Sequence, residues 1–255
     1  MVSRAAGRPA YLQVADALRE QIRDGTYPPG AQLPPERVLM DTWRVSSKTI
    51  RAALDRLRAE GYILSRQGVG SFVREPATLR RMSSDLTEQG GWIAACERLG
   101  LTPAVQTTVT TAPAPAHVAD ELGIASGDQV LVRARQMGIV ADPPEPPMHL
   151  STSYIPLPVV ARAPALEQVN TGSGGMLARL EEAGYGPLHF DEVVRARMPD
   201  PDEANTLGLA PGTPVLAIRQ YTYSSDDEVL DYKELVIAGD REEYAYRYGT
   251  VPSET

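Results

Sequence analysis

Between residues 10 and 61 the apolar positions repeat with the three-and-four spacing of helices, in three blocks that turn residues separate. The first block predicts a helix over residues 10–24 that ends at Gly25. The second block opens at Leu33-Pro34-Pro35-Glu36, because proline is tolerated in a first helical turn and an acidic residue suits the positive end of the helix dipole. Its predicted apolar face consists of Val38, Leu39 and Trp43. In the third block we expect Ser46 to cap the helix.

Two short strand-like runs follow the third block. Residues 62–64 and 71–73 flank the glycine-punctuated segment 66–70, which is typical of a β-hairpin. Three helices followed by a hairpin predict a winged helix-turn-helix domain.

The C-terminal part of the chain contains an internal repeat. Residues 122–131 and 207–216 are identical at six of ten positions, and each copy leads from a helical segment into a predicted strand. Two copies predict two similar halves whose strands pair into one mostly antiparallel sheet, with helices covering one side. We therefore expect an α+β protein with a winged helix-turn-helix domain over 1–76, a linker over 77–85 and a second domain over 86–250.

The net charge of −8 conceals two halves of opposite sign. Residues 1–76 hold twelve Lys and Arg against eight Asp and Glu, a net charge of +4, whereas the remainder carries −12. Eleven of the twelve N-terminal cations are arginine, whose planar fork suits phosphate and base recognition. An ordinary solvated surface would give the same excess, so the charge favours a nucleic-acid partner without deciding it.

The remaining composition bears on disulfides, membrane spans, metal sites and catalytic motifs. The single cysteine, Cys96, excludes an intrachain disulfide, and no secretory-type leader follows Met1. No run approaches the ~18 apolar residues that a membrane span needs. We expect a cytoplasmic protein without a membrane partner. The three histidines have no metal-ligand spacing and no nucleophile motif is present, so we expect no metal, no cofactor and no catalytic residue.

An ordered set of residues between positions 10 and 74 resembles the GntR family of bacterial transcription regulators. The set comprises Tyr11, Gly25, Pro29, Gly30, Leu33, Pro34, Glu36, Arg37, Val45, Ser46, Thr49, Ile50, Arg51, Ala53, Leu54, Leu57, Glu60, Gly61, Gly68, Gly70, Phe72 and Val73. The resemblance implies that the third helix enters a major groove and that the wing approaches a minor groove. The DNA contacts expected from this docking are Arg37, Ser46, Ser47, Lys48, Thr49, Arg51, Gln67 and Gly68. We expect Arg51 to be the base reader, and contact with another protein is the alternative use of the fold.

The sequence departs from the family pattern at three positions. Ser47 stands where arginine is usual, Pro35 where a capping serine is usual, and Val69 where a basic residue is frequent. Losing an arginine contact shifts specificity by about 1–3 kcal/mol at one base pair. We expect Lys48 to compensate.

The C-terminal half resembles the UTRA effector domain of the HutC subfamily over about residues 86–248. The resemblance is carried by the short sequence motifs Leu122-Gly123, Arg133-Ala134-Arg135, Ser153-Tyr154-Ile155-Pro156 and Leu207-Gly208 through Ile218-Arg219. The resemblance implies a chorismate-lyase-like fold whose sheet binds a small ligand. The family's Tyr-Arg pair is Ile237-Ala238 here, so we expect a ligand other than the amino-sugar phosphates of related proteins.

The internal repeat singles out Arg133 and Arg135. The second copy has Ile218 and Gln220 at these positions, so the architecture does not itself require two arginines. Residues two apart on a strand share a face, which favours an anion-binding pair. A surface ion-pair network with acidic neighbours is the alternative.

Further ligand contacts are expected from a glycine-rich loop and from the resemblance. Residues 171–175 precede a helical pattern, and exposed amides at a helix start attract phosphate or carboxylate, although most such loops bind nothing. The resemblance implies ligand contacts at Ser151, Ser153, Ser173 and Glu234, with Trp92 as an apolar wall.

These observations predict a sequence-specific transcriptional regulator. We expect a homodimeric repressor that binds double-stranded, palindromic operator DNA and responds to a small anionic effector, a phosphorylated or carboxylated metabolite. One alternative is a constitutive regulator whose C-terminal domain only dimerises. A remote one is a chorismate-lyase-like enzyme, since fold does not establish function.

Overall fold

The computed structural model describes residues 7–66, 68–74, 79–82, 91–141, 145–209 and 211–246. The chain divides into two compact units. The first comprises residues 1–78 with 209–214, and the second comprises 79–208 with 215–255.

The first unit contains three helices and a hairpin, as the sequence predicts. Its elements are α1 (Ala10–Arg23), α2 (Glu36–Trp43), α3 (Ser47–Ala59), β1 (Ile63–Arg66) and β2 (Gly70–Val73). β1 and β2 pair antiparallel, with Ile63 opposite Val73. Two backbone amides of the segment before α2 donate hydrogen bonds to β2. The Gly30 amide donates to the Val73 carbonyl, and the Leu33 amide donates to the Ser71 carbonyl.

The starts of α2 and α3 explain how the turn between them is built. Ser46 is the N-cap of α3, and its side chain accepts a hydrogen bond from the Thr49 amide at 3.3 Å, which confirms the predicted cap. α2 begins at Glu36, so both prolines precede the helix rather than lying in its first turn. Arg44 ends α2 in the left-handed region, with φ of 53°. A side chain there is strained relative to glycine, and this conformation ends α2 at the turn that leads into α3.

The core of the first unit consists of one buried face from each helix. Its buried members are Val14, Ala15, Leu18, Leu33, Leu39, Ile50, Ala53, Leu54, Leu57, Ile63 and Val73. The expected apolar face of α2 is only partly correct, because Leu39 is buried and Trp43 packs against the core, whereas Val38 is 45% exposed. Met40, which the expected face does not include, also packs against the core.

The second unit is organised around a six-stranded sheet within the described residues. The strands are β4 (Pro103–Pro113), β5 (Gln129–Ile139), β6 (His149–Pro156), β7 (His189–Arg197), β8 (Val215–Tyr223) and β9 (Val229–Ala238). Their order is β4-β5-β6-β9-β8-β7, and all neighbours are antiparallel. The two repeat copies lead into β5 and β8, which occupy equivalent places in the two halves. The predicted pairing of two halves into one antiparallel sheet is confirmed.

The helices of the second unit are α4 (Gly91–Arg98), α5 (Ala116–Leu122), α6 (Leu157–Arg162), α7 (Gly175–Glu182) and α8 (Pro201–Thr206), with a 3-10 helix at Pro164–Glu167. They cover both faces of the sheet, and the expectation of helices on one side is wrong. Val159 of α6 packs with Leu131, whereas Val118 of α5 packs with Val130. Adjacent strand residues point to opposite faces, so α5 and α6 lie on opposite sides.

A small parallel pair lies outside the main sheet. β3 (Leu79–Met82) pairs with β10 (Glu242–Ala245). Residues 79–82, which composition suggests to be part of a connection, therefore form a strand.

Candidate DNA-reading surface and ligand-binding strand face

The start of α3 presents polar and cationic side chains away from the core. Arg51 follows Ser47 by four residues and Lys48 by three, so it lies beside both on one side of the helix. Lys48 and Ser46 are exposed, and Ser47 and Thr49 are half-buried. The opposite side of α3 is buried in the core. This amphipathic arrangement leaves the first turns of α3 free to enter a groove.

An ion pair joins Arg51 to the start of α2. The Nε of Arg51 donates to Oε2 of Glu36 at 2.9 Å, and the two side chains are 68% and 41% exposed. The charged end of Arg51 is therefore accessible, but its position is set by α2.

Arg37, Arg44 and Gly68 are also exposed in the first unit. Gly68 lies in the turn of the hairpin with φ of 74°, a conformation that favours glycine. Gln67 lies outside the described residues. Sequence reasoning missed Arg44, although an arginine where the turn of the motif requires a left-handed residue is a signal that could have found it.

Four of the predicted ligand contacts lie together on one face of the main sheet. Arg133 lies opposite Ser153, and Arg135 lies opposite Ser151, on the adjoining strands β5 and β6. Directly opposed residues of an antiparallel pair share a face. Arg133, Ser151 and Ser153 are buried.

The same face continues across β9 and β8. Ser153 lies opposite Lys233, and Thr222 of β8 lies opposite Asp231. We call Arg133, Arg135, Ser151, Ser153, Asp231 and Lys233 the strand-face cluster. Sequence reasoning missed Asp231 and Lys233, although polar residues alternating with Leu230 and Tyr232 in an apolar strand could have indicated them.

The guanidinium of Arg133 binds backbone carbonyls. It donates to the carbonyls of Leu166, Gln168 and Val169, with the Gln168 contact at 2.7 Å and the Val169 contact at 3.2 Å. Burial, together with the charge of Arg135, lowers the pKa of Arg133 to about 10, so the side chain stays charged at neutral pH. Arg133 thus fixes the segment after the 3-10 helix to the sheet, and the alternative of acidic neighbours does not describe its contacts.

Arg135 and Asp231 are differently placed. The Nε of Arg135 is buried without a hydrogen-bond partner among the described residues. Lys233 approaches Asp231 at 3.5 Å and donates to Gln220 at 2.7 Å. Burial raises the pKa of Asp231, and the charges of Lys233 and Arg135 oppose that rise. Arg135, with Ser151 and Ser153 on the neighbouring strand, provides hydrogen-bond donors of the kind that bind an anion.

The other predicted ligand contacts lie elsewhere. Glu234 is opposite Thr152 and Arg219, on the other face of the sheet, and accepts a hydrogen bond from Tyr232 at 3.0 Å. Trp92 is 3% exposed, and its indole nitrogen donates to Glu242 at 2.9 Å. The structure therefore does not bring Glu234 to the cluster, and it places the Trp92 ring in a small core.

Ser173 is exposed in the loop that leads into α7. Its carbonyl accepts a hydrogen bond from Arg179 at 3.4 Å, and the Thr171 carbonyl accepts another at 3.3 Å. Because Arg133 binds the Val169 carbonyl four residues earlier, the start of this loop is tied to the strand-face cluster.

The described residues contain no group of three or more His, Cys, Asp and Glu residues placed to hold a metal ion. None of their helices has the length and apolar character needed to cross a bilayer.

Comparison with known proteins agrees with both units. Residues 10–73 match the model of the gntR family of bacterial regulatory proteins, and residues 99–243 match the UTRA domain. An uncharacterised HTH-type transcriptional regulator of Streptomyces coelicolor is 32% identical over 252 residues, covering 94% of this chain and 93% of the relative. The histidine utilization repressor of Pseudomonas putida is 29% identical over 226 residues, covering 87% and 85%.

A solved structure shows the same likeness along nearly the whole chain. The crystal structure of a GntR-family transcriptional regulator aligns with a TM-score of 0.66 at 28% identity, over 96% of this chain and 99% of that one. Because both domain models match this chain, the resemblances drawn from the sequence are confirmed. The chain belongs to the GntR family of DNA-binding transcriptional regulators, in the HutC-type branch whose second domain is a UTRA effector domain.

Proposed function

We propose that the protein reads its operator through the first turns of α3 in the major groove, with Arg51 as the base reader. The observation that carries this is the exposed polar side of α3, where Ser47, Lys48 and Arg51 lie together opposite a fully buried side. Arginine donates two parallel N–H groups to O6 and N7 of guanine, the commonest specific base contact. Ser46 and Thr49 lie at the cap, within reach of phosphate.

Arg37, Arg44 and the Gly68 turn supply the contacts around the reading helix. Arg37 and Arg44 are exposed cations at the two ends of α2. Contacts of this kind position a protein on the duplex without carrying sequence information. Gln67, next to Gly68, is proposed as a wing contact on the resemblance alone.

We also propose that the protein acts as a homodimeric repressor in the cytoplasm, with no catalytic step. The name of the Pseudomonas putida relative, a repressor, supports this sign of regulation. One winged helix neutralises few phosphates, whereas a two-fold dimer doubles the contacts and requires a palindromic operator. Selection of bound fragments from random DNA tests this, and the expected result is an inverted repeat. Selection of a single half-site, or of no motif, would contradict it.

The effector is proposed to be a small anionic metabolite, phosphorylated or carboxylated, that binds at the strand-face cluster. The carrying observation is the half-buried Arg135, whose Nε is buried without a hydrogen-bond partner among the described residues and which lies opposite Ser151. Across the cluster and the adjoining Glu192, three cations face two carboxylates, which leaves one positive charge for an anion to neutralise. Arg135 and the serines 151 and 153 bind the anion in this proposal, and Arg133 holds the loop that carries Ser173.

Ligand binding can be tested before the natural effector is known. Inorganic phosphate and a panel of phosphorylated and carboxylated metabolites are screened for raised Tm of the full chain and for loss of operator binding. We expect at least one anion to do both with the wild type and to do neither with Arg135→Ala. A response that persists in Arg135→Ala would overturn the assignment of the site. Absence of any response would favour a constitutive regulator whose second domain only dimerises.

A further inference from the structure

We propose that Glu36 is a positioning residue that sets the base selectivity of Arg51. The proposal rests on the docking of α3 described above and adds a residue from α2 to the reading machinery. Its basis is the ion pair between Arg51 Nε and Glu36 Oε2 at 2.9 Å.

Glu36 binds the Nε atom of Arg51, which the proposed base contact does not use. A guanidinium has five N–H donors, and a carboxylate bound at Nε leaves both terminal nitrogens to face outward. Two parallel donors at the end of the side chain match O6 and N7 of guanine. The Glu36 contact therefore orients the fork without consuming the donors that read the base.

The contact also reduces the entropy lost on binding. Arg51 is 68% exposed, so without a partner it samples many rotamers. Immobilising such a side chain costs about 0.5–1.5 kcal/mol, which corresponds to roughly a two- to tenfold change in affinity. A side chain that is already held in the reading geometry avoids part of this loss.

Arg51 pairs with a carboxylate of α2 although α3 itself carries a carboxylate nearby, that of Asp55. Asp55 lies one turn further along α3, four residues from Arg51, yet it pairs with Arg58 at 2.5 Å. Glu36 is instead the first residue of α2, where the positive end of the helix dipole favours its negative charge. Asp55 therefore provides a matched control, with the same charge on the same domain but paired with another arginine.

A carboxylate at a DNA-facing surface has two effects of opposite sign. Its charge repels phosphate and weakens binding to any duplex, in proportion to the counterions released. Its hold on Arg51 strengthens binding only where a guanine is correctly placed. Removing Glu36 should therefore raise non-specific affinity and lower selectivity together, which loss of structure would not do.

The test measures the affinity of the full-length protein for its selected operator, for the operator with each base pair changed in turn, and for random duplex, at one fixed salt concentration. We expect Glu36→Ala to lower discrimination about two- to tenfold at the same base pair that Arg51→Ala affects, and to raise affinity for random duplex. Asp55→Ala should raise both affinities alike and leave discrimination unchanged. Glu36→Gln keeps an acceptor for Nε and should restore part of the discrimination.

The outcomes separate this proposal from the docking on which it rests. If Arg51→Ala abolishes discrimination at one base pair while Glu36→Ala leaves it intact, Glu36 is not a positioning residue and the docking stands. If Arg51→Ala leaves every base preference unchanged, the docking itself is wrong. Equal effects of Glu36→Ala and Asp55→Ala would reduce the role of Glu36 to general charge repulsion and overturn the proposal.

Discussion

Arg133 and Arg135 are the same residue type on the same strand face, and they have different surroundings. That they share a face could be predicted from their spacing, and the register confirms it. The hydrogen bonds from Arg133 to backbone carbonyls could not be predicted in this way. Those carbonyls belong to residues 166–169, more than thirty positions away in the sequence. Local patterns give the direction of a side chain, and only the tertiary fold gives its partner.

The two arginines should therefore differ in their contribution to stability. Replacing Arg133 with alanine removes three hydrogen bonds from a charged donor and leaves the buried Leu166 carbonyl without this partner, so we expect a loss of about 2–4 kcal/mol in the free energy of unfolding. Arg135→Ala removes no such bonds, and its smaller effect comes from the weaker neutralisation of Asp231. Denaturant unfolding of both variants and the wild type provides the measurement. Equal losses would contradict the assignment of Arg133 as the structural partner.

At the scale of elements, prediction succeeds where local chemistry decides. Ser46 could be identified as a cap because a side chain of that type satisfies an exposed amide of the helix start wherever the helix lies. The helices on both faces of the main sheet were not predictable in the same way. α5 is a short helix with three buried residues, and which face of the sheet it covers depends on the crossing of the chain between β4 and β5. The repeat itself says nothing about that crossing.

α8 offers an element-scale prediction with a pH dependence. Glu203 accepts two hydrogen bonds from Arg197, at 2.6 and 2.7 Å, and completes a capping box with Asp200. The hydrogen bonds from Arg197 are the main cause that lowers the pKa of Glu203 below its ordinary value of 4.5. A depressed folded-state pKa contributes stability above the unfolded pKa, and that stability is lost as the pH falls through the folded value.

We therefore expect Glu203→Gln to lower the free energy of unfolding by about 1 kcal/mol at neutral pH. The difference in free energy of unfolding between the wild type and the variant should disappear as the pH falls below 4.5. Asp202→Asn, an exposed acid one residue earlier in the same helix, is the control. Urea unfolding across the pH range is the measurement. A difference in free energy of unfolding that stays constant with pH would mean that the charge of Glu203 contributes nothing to stability.

At the scale of the whole molecule, the repeat and the family resemblance together give the architecture of each unit. The identities between residues 122–131 and 207–216 predict two matched half-sheets, and β5 and β8 fulfil this. The response to a ligand is not predictable in the same way. It depends on a difference in free energy between two arrangements of the protein, typically about 1–3 kcal/mol, which no residue pattern encodes.

Thermodynamic linkage nevertheless constrains that response. If an anion weakens operator binding by some factor, the operator must weaken binding of that anion by the same factor. We expect about a 5- to 150-fold change in both directions. Calorimetric titration of the ligand into free protein and into the operator complex checks this. Unequal factors would mean that the anion acts outside the proposed two-site scheme.

The most direct test of the account is the preference of the purified protein for its selected operator over sheared genomic DNA at moderate ionic strength, measured for the wild type and Arg51→Ala. Arg56→Ala, which removes a cation paired with Glu60 on the same helix, is the control. The account predicts a strong preference in the wild type and the control, and only weak, salt-sensitive binding without preference in Arg51→Ala. A wild type that holds no duplex more tightly than genomic DNA, or an unchanged preference in Arg51→Ala, would contradict it.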